Sequence, residues 1–380
     1  MNKKRKIKER LLCRAFITVM LVSLFVGVSS VKASAAGNDH SHSGYTAITS
    51  NNVSLLSQPG NYYLAGNITI SSKIEITSGQ TVNLCLNGYT IKITGNDSLF
   101  YIDNGSTLNI YDCIGTGVLT GGKGYLNGSQ KGGAIYVRSS TLNMYGGTIK
   151  GNQAVWGGAV FIDGSNSTCT FNMYGGTISG NTAQSGGGGV EVENDYSYFN
   201  IYAGSIINNT VTEANGSLHK GGGVHFAKGT VRIYGTYGDV IIKDNTVAGV
   251  VNNLYLRSGK TITIPGNANI SSTSSIGVSS TDCENNNTNV TIASGYSSDK
   301  PKCFFLDGTN SSSHLLVYES NSLSIVKKTS HTHSYSSAWY SDDTQHWSEC
   351  QCGEKANINN HTISEQCSFN DDSHWYECTT

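Results

Sequence analysis

The chain predicts an all-β fold: a parallel β-helix of three-strand coils followed by a small Cys/His-rich module. Three observations carry this. One phrase is written three times, as Leu142-Asn-Met-Tyr-Gly-Gly-Thr-Ile149, Phe171-Asn-Met-Tyr-Gly-Gly-Thr-Ile178 and Phe199-Asn-Ile-Tyr-Ala-Gly-Ser-Ile206. Repeats of this length, rich in strand formers and glycine, are the mark of a solenoid in which one repeat is one turn. Only 13% of residues are charged and 45 are Gly, a composition of short strands and tight turns. Finally, the segments after the glycine clusters align with one another and alternate apolar and polar residues.

Taken in order, residues 1–36 read as a signal peptide. Met1 to Arg14 is basic, Ala15 to Val28 is apolar, and Ala33-Ser34-Ala35 supplies small residues for cleavage. The apolar run is shorter than the ~20 residues of a membrane span, so no span is expected in the mature chain. Residues 1–36 hold eight of the 25 Lys and Arg and one of the 26 Asp and Glu. The remainder therefore has 17 basic and 25 acidic side chains, a net charge of −8. That argues against nucleic acid as a partner, which wants clustered positive charge. The expected address is secreted or cell-surface associated.

Residues 37–80 read as an N-terminal cap and first irregular coil, with weak strands at Asn67-Ile-Thr-Ile70 and Lys73-Ile-Glu-Ile76. Residues 81–275 are the coils. One strand aligns as Phe100-Tyr-Ile-Asp103, Ile135-Tyr-Val-Arg138, Val160-Phe-Ile-Asp163, Val190-Glu-Val-Glu193, Val224-His-Phe-Ala227 and Leu254-Tyr-Leu-Arg257. Its first and third residues are apolar and face the core, because side chains alternate across a strand. A second strand aligns as Leu108-Asn-Ile-Tyr111, Leu142-Asn-Met-Tyr145, Phe171-Asn-Met-Tyr174, Phe199-Asn-Ile-Tyr202 and Val231-Arg-Ile-Tyr234. A third points Ile149, Ile178, Ile206 and Ile242 inward. The Gly-Asn after it reads as a left-handed turn, and Gln184–Gly186 as an inserted corner loop. Residues 276–328 read as a closing β cap. Nine cysteines follow the signal segment, so at least one lacks a disulfide partner in the chain. Cys283 and Cys303 are a candidate pair; Cys85, Cys113 and Cys169 read as packing residues.

The Gly-Gly-Thr-Ile-x-Gly-Asn repeats resemble the right-handed parallel β-helix repeats of the pectin-lyase-like superfamily, in the form found in secreted bacterial surface proteins. The resemblance covers about residues 81–275. It implies a right-handed helix and does not choose among polysaccharide lyases, glycoside hydrolases and adhesins.

Stacked strands lie about 4.8 Å apart, so the outward positions form columns. Tyr101, Tyr136, Phe161, Glu191, His225 and Tyr255 make one; Asp103, Arg138, Asp163, Glu193, Ala227 and Arg257 lie beside it. As an exposed strip, Tyr101, Tyr136, Arg138, Phe161, Tyr255 and Arg257 would stack and hydrogen-bond sugar rings. A stabilising ladder explains the same column. Asp163, Glu191, Glu193 and His225 break the pattern. They are the candidate acid–base residues of a glycosidase, or oxygen ligands for Ca²⁺. A lyase like the pectate enzymes would add a basic proton abstractor, and Arg138 is on that face. The Tyr111, Tyr145, Tyr174, Tyr202 and Tyr234 column, with Asn109, Asn143, Asn172 and Asn200, reads as structural stacking.

Residues 329–380 repeat a His-Trp-x-Glu-Cys block, the second copy incomplete. His333, His346, Cys350, Cys352 and His361 are candidate Zn²⁺ ligands; disulfides explain the same cysteines. The sequence therefore leaves three functions: binding of polysaccharide, glycoconjugate or host surface, as an adhesin does; cleavage of an extracellular polysaccharide; or a structural stalk.

Overall fold

The computed structural model describes residues 41–379, apart from 127–128, 214–219, 285–288, 298–299, 309, 320, 329–334, 342–344, 351–354, 361 and 370–373. Side chains of 125–129, 310, 336, 338, 362–369 and 374–379 also lie outside the description, as does the expected signal peptide. The chain divides into one unit ending at Lys327 and a second beginning at Lys328.

The first unit is a parallel β-helix. Its first sheet has 12 strands and starts at Thr46–Ile48, Gly60–Leu64 and Thr81–Cys85, paired parallel. The region read as an irregular coil is thus already in the stack. The sheet continues through Thr107–Tyr111, Thr141–Met144, Cys169–Met173, Ser197–Ile201 and Thr230–Ile233. It closes with antiparallel strands Ser322–Lys327 and His314–Tyr318. A second, 16-stranded sheet has two flanks, one from each remaining aligned strand, joined where Ser275–Ser280 pairs with both. Inward residues such as Leu142, Met144, Phe171, Met173, Phe199 and Ile201 form one continuous buried core with Ile149, Ile178, Ile206 and Ile242.

A smaller sheet lies at one corner. Gln153–Trp156, Thr182–Gly186, Thr210–Val211 and Thr246–Val247 pair parallel across four coils. These coils therefore carry a fourth strand, and Gln184–Gly186 belongs to it rather than to an inserted loop. The reason is local: Ala183, Val211 and Val247 bury one face of the segment as their own cluster.

The asparagine after the third strand also differs from expectation. The left-handed residue is the one before it: Gly151, Gly180, Asn208 and Asp244, with φ of 65°, 61°, 55° and 58°. Asn152, Asn181, Asn209 and Asn245 are buried instead and stack as an internal ladder. In each, the backbone N–H and Nδ2 donate to Oδ1 of the next member at 2.9–3.0 Å. The chain passes to Asn253 and ends on the two oxygens of Asp307, at 2.6 and 2.7 Å. A carboxylate ends such a ladder because it accepts twice and donates nothing.

Burial pushes the Asp307 carboxyl up from 3.8 to about 6, while the donors of Asn253 pull it down. Between those values the folded chain holds the proton more tightly than the unfolded chain. Stability contributed by this group is present below pH 3.8 and is lost as pH rises to about 6. Denaturant titrations across that range should show unfolding free energy falling by up to about 3 kcal/mol, with the Asp307 contribution absent in Asp307→Asn.

The second unit contains the antiparallel strands Tyr335–Ser341, Gln345–Cys350 and Lys355–Asn360, and the pair Thr362–Phe369 and His374–Thr379. Among the described residues no helix is long and apolar enough to cross a membrane.

Candidate functional site

The outward column stacks in register. Tyr101, Tyr136, Phe161, Glu191, His225 and Tyr255 are partners coil to coil. Glu75 and Ser279 extend the column at its two ends. Its exposure, however, is overturned. Tyr136 is 8% exposed, Phe161 2%, Glu191 0%, His225 1% and Tyr255 0%. From Tyr136 to Tyr255 the column is a covered layer outside the main core, not an open ligand strip, while Tyr101 is half-buried and Glu75 exposed.

The cover comes from the corner. Gly157, Gly187 and Gly221 have φ of 65°, 59° and 70°, which turns the chain tightly between the corner sheet and the column. A Cβ on Gly186 would lie 2.8 Å from both Glu191 Oε2 and the Trp156 ring, so this backbone rests on the carboxylate. Lys131 Nζ sits 4.7 Å from the Phe161 ring centroid, and Lys220 Nζ 5.4 Å from that of Tyr255.

The polar groups beneath are committed to one another. Tyr101 and Tyr136 donate to Asp103 and Asp163, each at 2.6 Å. Arg138 reaches Asp103 at 2.8 Å, and Asn194 donates to the other oxygen of Asp163 at 2.7 Å. Burial and these carboxylates hold both tyrosine hydroxyls well above their usual range. Both oxygens of Asp163 are occupied: Tyr136 holds Oδ2, and Asn194 and the Ser165 N–H, the latter at 3.1 Å, hold Oδ1. Asp163 and Glu193 are partners in register, but the half-exposed Glu193 lies 3.9 Å from Lys228 Nζ. They do not form the expected acid–base couple. Nor do these carboxylates gather around a Ca²⁺ position: among the described residues the one three-ligand cluster lies elsewhere. Arg138 and Arg257 remain half-buried.

Glu191 and His225 do come together. His225 Nδ1 lies 2.8 and 3.1 Å from the two carboxylate oxygens. Burial raises the Glu191 carboxyl above its ordinary 4.5, against the pull of His225. His225 Nε2 is buried without a hydrogen-bond partner among the described residues. The pair has the orientation of a carboxylate–histidine base, yet no substrate atom reaches a nitrogen on a side chain 1% exposed.

The Tyr111, Tyr145, Tyr174, Tyr202 and Tyr234 rings stack at 4.7, 4.7, 4.6 and 4.3 Å, tilted by 18° or less. Their faces meet one another, and Tyr237 packs against Tyr174 and Tyr202 from the side. Beside them Asn83, Asn109, Asn143, Asn172 and Asn200 each donate to the previous member at 2.7–2.8 Å.

In the second unit, His333, Cys352 and His361 lie outside the described residues. His346 and Cys350 are buried on one strand, four residues apart. At strand rise that separates their Cα atoms by about 13 Å, too far for a shared tetrahedral ion. Cys283 and Cys303 are buried unpaired thiols, not a disulfide; Cys303 contacts the Tyr296 hydroxyl at 3.4 Å.

An open feature that sequence reasoning missed lies on the corner sheet. A groove of about 380 Å³ is lined by Lys123, Gln130, Gln153, Ala154, Thr182, Gln184 and Thr212. Gln153 and Thr182 are register partners there, and Gln184 follows two residues along the second strand. Gln184 donates to Glu213 at its edge. No family model matches this chain, and no curated protein or solved structure matches it.

Proposed function

We propose that the chain is a secreted or surface-associated, non-catalytic protein that binds an extracellular polysaccharide or glycoconjugate through the corner groove. The observation that carries this reading is the groove's lining: three glutamines, two threonines and one lysine. Amides and hydroxyls both donate and accept, as sugar hydroxyls require, and Lys123 suits an anionic sugar. The resemblance to pectin-lyase-like surface proteins and the N-terminal basic-apolar-small pattern agree with a bacterial surface setting, including a glycan-bearing host or matrix surface. Burial of Glu191 and His225 weighs against cleavage, and a groove lined by amides and hydroxyls weighs against a bare stalk.

A panel of polysaccharides tests both halves of the proposal. Binding should weaken about tenfold in Gln153→Ala or Gln184→Ala, the loss of roughly one hydrogen bond. Neither reducing nor unsaturated ends should appear. Ends released by the parent protein and abolished in Glu191→Gln would instead establish a hydrolase or lyase. Absence of binding across the panel would leave the stalk.

A further inference from the structure

We infer that His42, Cys85 and Cys113 form a zinc site that clamps the segment before the first strand onto the N-terminal coils. The three side chains come from separate places. Cys85 ends strand Thr81–Cys85, and its neighbours in register are Tyr63 and Tyr111. Cys113 lies two residues beyond Tyr111, at the next corner. His42 precedes strand Thr46–Ile48 and lays its ring on Tyr63, with centroids 4.4 Å apart and planes within 4°.

Their donor atoms converge. Cys85 Sγ is 3.5 Å from Cys113 Sγ, and Cys113 Sγ is 3.6 Å from His42 Nε2. All three atoms lie within 4.8 Å of one another. In a tetrahedral zinc site, bonds of ~2.3 Å to sulfur and ~2.0–2.1 Å to nitrogen put adjacent ligand atoms about 3.5–3.8 Å apart. The two edges fall in that range. A disulfide needs its sulfurs at about 2.05 Å, and neither cysteine is in one. Two thiolates and an imidazole select Zn²⁺ over the hard cations Ca²⁺ and Mg²⁺.

The surroundings fit this role. Cys85 is fully buried while Cys113 and His42 are half-buried, so an ion can enter from solvent. Asn87 Oδ1 lies 3.6 Å from Cys113 Sγ, and its amide is pinned on Leu64 O at 3.0 Å. The Tyr63 stack fixes the plane of the imidazole, as orienting contacts do at metal sites.

The test is zinc content and affinity of the full chain, measured by mass spectrometry and chelator competition. The parent protein should lose one equivalent of zinc in Cys113→Ser. His42→Ala, which leaves both coil cysteines in place, should weaken the site by more than the roughly 10–100-fold cost of an outer-shell change. Cys350→Ser should leave this equivalent in place, separating it from any ion in the second unit. Equal zinc in parent, Cys113→Ser and His42→Ala would overturn the assignment. So would a non-reducing peptide map that links Cys85 to Cys113.

Discussion

Asn181→Leu is expected to lower the unfolding free energy by about 3–6 kcal/mol. Asn181 is fully buried. Its Oδ1 accepts both the backbone N–H and Nδ2 of Asn152, at 3.0 and 2.9 Å. Its own Nδ2 donates to Ile149 O and Asn209 Oδ1, each at 2.9 Å. Leucine has the same branched outline but bulkier methyl groups that cannot sit 2.9 Å from N and O atoms, so overpacking adds to the loss. What remains is a set of buried donors and acceptors with no water to turn to, each costing ~1–3 kcal/mol. Asn172 is the control. It sits in the outer ladder, half-buried, and solvent replaces its lost partners. Asn172→Leu should cost no more than about 1.5 kcal/mol. Chemical denaturation of the two variants checks the contrast, and equal losses would show that the inner ladder is not what joins the coils.

His225→Leu should cost about 3–5 kcal/mol, the usual result of removing one partner of a buried, hydrogen-bonded acidic–basic pair. Glu191, 0% exposed, would lose the contacts of His225 Nδ1 with both its oxygens. The double variant Glu191→Leu/His225→Leu should recover most of that loss, because an apolar pair needs no desolvated partner. The pH dependence has a definite sign. The Glu191 carboxyl already titrates above 4.5 in the folded chain, so its contribution is fully present below that value and declines as pH rises through the folded pKa. Removing His225, which pulls the value down, should extend this decline to higher pH. A catalytic pair would behave otherwise: activity would vanish in the single variants while stability changed little.

Much of the scaffold is legible because a β-helix repeats one physical rule. Apolar first and third positions in Val190-Glu-Val-Glu193 and its relatives identify both the core and the register, and each outward column is stacked as the alignment implies. What the alternation does not show is whether an outward side chain meets solvent. Phe161, Glu191 and His225 are covered by a corner that folds back at Gly157, Gly187 and Gly221, and glycines read from sequence only as turns. The same blindness hid the fourth strand, since Gln184–Gly186 is held by pairing between coils rather than by its own propensity. Asn152 and Asn181 were visible as a repeat, but their role depends on the preceding glycine taking the left-handed angle. The His42, Cys85 and Cys113 cluster had no signature, because its members come from the segment before the first strand and from two coils, with no motif spacing.

Hydrogen exchange of the full chain, free and bound to a polysaccharide identified by the panel, tests the account most directly. It predicts that strands Val190–Glu193 and Val224–Phe226 exchange slowly in the free protein and do not change on binding. New protection should appear in Gln153–Trp156 and Thr182–Gly186, which line the groove. Fast exchange at 190–193 and 224–226 that becomes slow with ligand, and no change on the corner sheet, would contradict it.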